Sequence, residues 1–161
     1  MESKTARGHE EPHAIQFSIF LANRVGQLKD LMNLFAQQHV EVLGVSIVDS
    51  SDWGVVRAVF SDAGKARCLL QKHNTAFTES SVLLAEFTDQ AALSDICACL
   101  VSAEISVNFA YPLVIRSHEN PVMVLHVDDT VLATQVLTMH RYILLGSEDL
   151  ADPGHPGQMC Q

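Results

Sequence analysis

The sequence predicts an α+β protein made of two consecutive βαββαβ units, each a four-stranded antiparallel sheet with two helices on one face. Three observations predict it. Strand-like and helix-like apolar periods alternate along the chain. The whole pattern recurs at an offset of 65 to 67 residues, the mark of a duplicated unit. The chain has 161 residues, 48% of them apolar and 18% charged, which suffices for two small packed cores.

Residues 1–13 are polar and aperiodic, with Gly8 and Pro12, and read as a disordered tail. The first unit spans 14–80. Ile15, Phe17, Ile19 and Leu21 alternate with Gln16, Ser18 and Phe20, a period-2 strand. Leu28, Leu31, Met32 and Phe35 follow at i, i+3, i+4 and i+7, one apolar stripe of a helix. Val40 to Val48 is rich in β-branched residues and ends at the polar turn Asp49-Ser50-Ser51-Asp52, so it predicts a strand and its turn. Trp53 to Phe60 is the third strand, and Asp62 is placed to cap a helix whose inner positions are Ala66, Leu69, Leu70 and His73. Ala76 to Glu79 is expected as a short closing strand.

The second unit spans 81–146. Adding 65 to the first stripe gives Leu93, Ile96, Cys97 and Leu100; adding it to Val40 and Val42 gives Ile105 and Val107. Adding 67 to the second helix gives Ala133, Val136, Leu137 and His140. The change of offset falls in the hairpin between the second and third strands, where a loop absorbs it. Residues 147–161 carry three acids and two prolines and read as a disordered acidic tail.

Charge excludes several functions. Ten Lys+Arg against nineteen Asp+Glu leave a net charge of −9, the wrong sign for nucleic acid or an anionic membrane. Only Phe109 and Tyr111 approach the aromatic strand signature of an RNA-binding sheet. No apolar run reaches the roughly 20 residues of a membrane span. Met1-Glu2-Ser3-Lys4 does not open a signal peptide. Cys68, Cys97, Cys99 and Cys160 have no disulfide or zinc spacing, so reduced thiols in a cytoplasmic protein are expected. Cys97 fills the slot of Met32, and Cys99 points to another helix face. No metal, cofactor or catalytic residue is therefore assigned. Neither a nucleophile–base pair nor a phosphate loop or dinucleotide fingerprint is present. Asp49 and Asp52 read as a solvated turn, and His73 and His140 as residues near helix C-termini, where an imidazole suits the dipole.

One segment departs from packing needs: Asn23-Arg24-Val25-Gly26-Gln27-Leu28, between a strand and a helix. Free first-turn amides and the helix dipole favour an anion there. Gly26 lets backbone approach a ligand without a Cβ in the way. Asn23 offers both donor and acceptor, suited to an α-amino or α-carboxyl group, and Arg24 and Gln27 line the same loop. In the second unit Thr88 stands opposite Asn23, and Ala91 opposite Gly26. If that position needs a positive φ, alanine costs about 1–2 kcal/mol. One working site per chain is expected.

These residues resemble a known family. Asn23-Arg24-Val25-Gly26-Gln27-Leu28 looks like the N-x-x-G-x-L turn of ACT domains, small modules that bind amino acids and regulate metabolic enzymes. The run Asp49 to Arg57 is similar to the corresponding turn of stand-alone tandem ACT proteins. The resemblance covers about residues 14–145 and implies two tandem ferredoxin-like units, with an amino acid held at a domain or subunit interface. Carried over by position, Asn23, Val25, Gly26, Gln27 and Leu28 would contact the ligand's charged groups, with Ser46 on the second strand as a further contact.

Two functions follow as expectations. The first is a regulatory protein that binds a free amino acid or similar small zwitterion and acts through its assembly, as a homodimer or on a metabolic enzyme. The second is a structural or interaction module on the same fold that binds no ligand and docks through its apolar sheet.

Overall fold

The computed structural model describes residues 12–22, 25–49, 52–89, 91–117 and 120–151. Of the expected tails at 1–13 and 147–161, residues 1–11 and 152–161 lie outside the described residues. Along the chain run β1 (Ala14–Ala22), α1 (Gln27–Gln37), β2 (Val42–Asp49), β3 (Trp53–Phe60), α2 (Ala63–Lys72), β4 (Phe77–Glu86), α3 (Ala92–Ser102), β5 (Val107–Ser117), β6 (Asn120–Val127), α4 (Thr130–Met139), β7 (Leu144–Leu145) and α5 (Ser147–Leu150). The architecture is α+β, with βαββαβ written twice. The chain divides into two compact units, one built on Ile15–Ser80 and the other on Ser81–Asp149.

In the first unit the strands lie in the order β2-β3-β1-β4. β3 pairs antiparallel with β1, from Phe17 opposite Ala58 to Ala22 opposite Trp53. It also pairs with β2, from Val45 opposite Ala58 to Asp49 opposite Gly54. Phe17, Ile19, Val56, Ala58 and Phe60 share one sheet face and pack on Leu31 and Phe35 of α1 and Ala66, Leu69 and Leu70 of α2. The Phe60 ring centres this core, 4.3 Å from the Phe35 centroid and 5.4 Å, edge-on, from Phe17. Such pairs add about 0.5–1.5 kcal/mol beyond their area.

The second unit repeats the plan, with β4 between β6 and β7, and β5 outside β6. Its core joins Leu83, Ala85, Leu125 and Val127 to Ile96, Leu100, Ala133 and Leu137 of the helices. The duplication extends to backbone detail. Left-handed residues after the helices recur at the two offsets: His39 (φ 55) and Glu104 (φ 59), then Asn74 (φ 49) and Arg141 (φ 65). Asp62 and Asp129 cap α2 and α4, their carboxylates accepting the N–H of Lys65 and Leu132 at 2.9 Å. A register irregularity between Val42 and Gly44 recurs between Val107 and Phe109. Leu28 and its counterpart Leu93 are exposed to nearly the same extent, 37% and 41%.

Four details differ from the sequence reading. The short strand expected at Ala76–Glu79 is the start of ten-residue β4, whose residues 81–86 serve as the first strand of the second unit. Glu79-Ser80-Ser81-Val82 contains no Gly, Pro or Asn to break it. Residues 147–150, placed in the acidic tail, form α5. There Asp149 accepts the Gly146 N–H at 2.8 Å and Leu150 is buried. Likewise Pro12 is buried, and the His13 carbonyl accepts from Ser147 Oγ at 3.4 Å. Cys97 and Cys99 are free thiols, but Cys68 is disulfide-bonded where reduced thiols were expected.

Candidate functional site

The ends of β1 and β2 and the start of β3 meet at one end of the first unit, since Ala22 faces Trp53 and Asp49 faces Gly54. The loop into α1 leaves from this end. Its residues Asn23 and Arg24 lie outside the described residues. Gly26 is the N-cap of α1, in the left-handed region at φ 91, ψ −14. A Cβ built there meets nothing within 4 Å, so the constraint on this position is its φ and not crowding. The Gly26 carbonyl accepts the Asp30 N–H at 2.9 Å, which starts the helix. No side chain caps α1 among the described residues, so its first-turn amides face the loop with no carboxylate on them.

Gln27, half-buried at the first helical position, has its Oε1 buried with no hydrogen-bond partner among the described residues. A buried amide oxygen left so costs about 1–3 kcal/mol unless a donor arrives. Val25 and Leu28 are exposed, and the apolar surface continues past the loop. Val45 and Ile47 lie on the helix-covered sheet face, opposite Ala58 and Val56, yet both are exposed. Phe20, Val48 and Trp53 are exposed on the other face. Ser46 also stands on that other face, opposite Arg57. The fold therefore groups Val25, Gly26, Gln27 and Leu28 but sets Ser46 apart from them.

The second unit closes the equivalent place. Ala91 avoids the left-handed region, at φ −76, ψ −21. The Asp89 carboxylate accepts the Ala92 N–H at 2.9 Å, so an anion of the chain's own occupies the α3 terminus. Sequence reasoning anticipated the alanine but missed Asp89, although Asp four residues ahead of the first residue of an apolar helix stripe is a capping signal, as Asp62 is ahead of Ala66. It also passed over the exposed Val45, Ile47 and Trp53 as neighbours of the loop. Among the described residues, no group of three or more His, Cys, Asp or Glu gathers to hold a metal. No described helix is long and apolar enough to cross a membrane.

Comparison with known proteins bears on the whole chain. A family model described as an ACT domain pair matches residues 13–152. A solved protein of Bacteroides thetaiotaomicron is similar over 86% of this chain and 96% of its own, with TM-score 0.78 and 23% identity. The regulatory subunit of aspartate kinase from Thermus thermophilus, in its ligand-free form, is similar over 80% of this chain and 92% of its own, with TM-score 0.53 and 11% identity. The aspartokinase alpha and beta subunits give TM-score 0.51 at 16% identity, over 81% of this chain and 97% of theirs. No curated protein matches the chain. At these identities the structural likeness speaks for the fold.

Proposed function

Since the chain belongs to the family of ACT domain pairs, we propose that it is a non-catalytic regulatory protein that binds a free amino acid, or a similar small zwitterion, at the β1–α1 turn of its first unit. The observation that carries this reading is the contrast between two copies of one turn. Gly26 holds the first open in the left-handed region, while Asp89 fills the second. A ligand carboxylate would take the α1 amides, and its ammonium would satisfy the Gln27 Oε1, which has no partner among the described residues. The family resemblance adds Asn23 as a contact. Arg24 and Ser46 remain part of the reading as a pocket wall and as a contact from a neighbouring copy.

Magnitudes decide where the affinity comes from. The helix terminus contributes about 0.3–2 kcal/mol, whereas micromolar-to-millimolar binding requires about 4–8. The difference falls to the ammonium contact and to apolar burial, for which Leu28, Val45 and Ile47 are at hand. A second copy of the chain, or a metabolic enzyme in the cytoplasm, would supply the outer wall. The ligand would then regulate by binding one assembly state better than another.

The test is a thermal-denaturation screen against each of the twenty amino acids. A ligand at 100 times its Kd adds about 2.7 kcal/mol to stability, so a clear rise in Tm is expected with one or a few of them. Gly26→Ala, which places alanine at φ 91, should abolish that rise. No shift with any amino acid at millimolar concentration favours the second reading, a docking module that uses the exposed apolar residues of the sheet, Val45 and Ile47 on one face or Val48 and Trp53 on the other.

A further inference from the structure

We propose that the outer surface of α3 and α4 is a self-association face, on which a second copy of this chain docks about a two-fold axis. The inference stands apart from the ligand-binding reading and rests on a comparison internal to the molecule. Both units bury one side of their helix pair against the sheet and leave the other side outward. In the first unit the pair carries Lys29, Lys65, Arg67 and Lys72 against a single acid, Asp30. In the second unit Asp95 is the one ionisable residue other than cysteine in the two helices.

The substitutions fall at matched positions. Lys65 is replaced by Leu132, Lys72 by Met139, Gly64 by Val131 and Ala36 by Val101. Val101 and Val131 are 71% exposed and Met139 is 80% exposed. Aliphatic side chains so open at positions where the sister helices hold cations, glycine or alanine are not required by the unit's own fold. Ser94, Ala98 and Ser102 on α3 are also exposed and small, which lets a facing helix approach closely.

Charge selects the occupant. The chain carries −9, so two copies repel over most of their surfaces. A two-fold contact sets a patch against itself, and the cationic α1–α2 layer would meet its own cations. The α3–α4 layer meets almost no charge. Asp128, Asp129, Glu104 and Arg141, all exposed at the helix ends, would rim a face whose one interior charge is Asp95 and which also exposes Gln135 and Thr138 beside Val101, Val131 and Met139. The helices are about 16 Å long and pack 8–10 Å apart. Such a layer lies below the small end of specific interfaces, about 1,200 Å² in total, so the dimer should dissociate on dilution.

Sedimentation and light scattering of the full chain, from low micromolar to high concentration without amino acids, provide the test. The expected result is a monomer–dimer equilibrium that Val101→Glu and Met139→Glu each weaken at least about tenfold, because a charge is desolvated at the contact. Lys72→Glu, at the position matched to Met139, should leave it unchanged. Circular dichroism melts check that the variants fold, and Val101→Ser supplies a milder change at the same place. A chain that is monomeric at every concentration overturns the proposal. So does a dimer that tolerates both glutamates, or one lost to Ile47→Glu alone, which would put the contact at the β2 edge.

Discussion

Single residues show how little chemistry separates an open turn from a closed one. Gly26 and Ala91 differ by one methyl group, yet the backbone responds by changing region, φ 91 against φ −76. The expected strain at Ala91 does not arise. The second loop takes another path, and Asp89 caps the helix that results. Arg67 and Glu79 show a residue-scale effect of the opposite kind, a structural contact with a pH signature. Arg67 Nε and Nη2 donate to the two Glu79 oxygens at 2.5 and 2.9 Å. This hydrogen bonding, more than charge, holds the Glu79 carboxyl below its ordinary value. A carboxylate lowered in the folded state stabilises above its unfolded pKa and ceases to do so as pH falls through the folded one. The two side chains are 40% and 28% exposed, so solvent screening limits the pair to about 0.2–1 kcal/mol. Glu79→Gln should therefore lower stability by that amount at pH 7 in urea titrations. The difference from the parent chain should vanish below the carboxylate range and shrink in 1 M salt.

Elements were legible wherever one face is apolar and a cap marks the end. Leu31 and Phe35 of α1, Ala66, Leu69 and Leu70 of α2, the β3 bounds and the Asp62 cap stand in the sequence as they stand in the fold, because burial on one side writes a period into the chain. Leu28 and His73, placed on the same stripes, are exposed. The extent of β4 was not legible. Its halves serve different units, and no turn residue divides them, so a period-based reading stops at the first apparent end. The closed second turn was half legible: Ala91 is visible as a departure from glycine, but its conformation depends on the Asp89 carboxylate folding back. Caps are also where the duplicated elements are most directly compared. Asp62 and Asp129 make the same 2.9 Å bond in the two units, and Asp89 makes a third at α3. Replacing Asp62 or Asp129 by alanine should cost about 0.5–2 kcal/mol each, read as a shift in denaturation midpoint. Asp89→Ala should cost a similar amount without creating a ligand site, since Ala91 keeps its helical φ.

At the scale of the molecule, duplication has produced two units alike in topology, caps and left-handed residues, but unlike at the two places where a ligand or a partner would act. The first unit keeps a helix terminus that no side chain caps among the described residues, and a cationic helix layer. The second closes the terminus with its own carboxylate and carries an apolar layer. Division of labour between the copies is the simplest account, because neither difference serves the packing of its own core. It makes a prediction about stoichiometry. If both turns bound ligand, calorimetric titration with an amino acid that raises Tm would give two equivalents per chain. With the second turn occupied by Asp89, the expected value is one equivalent per chain, and Gly26→Ala should reduce it to none. Asp89→Ala should leave it at one, because removing the cap frees an amide but does not restore the left-handed turn. Two equal equivalents in the parent chain would show that Asp89 yields to a ligand, and the contrast between the turns would lose its functional meaning.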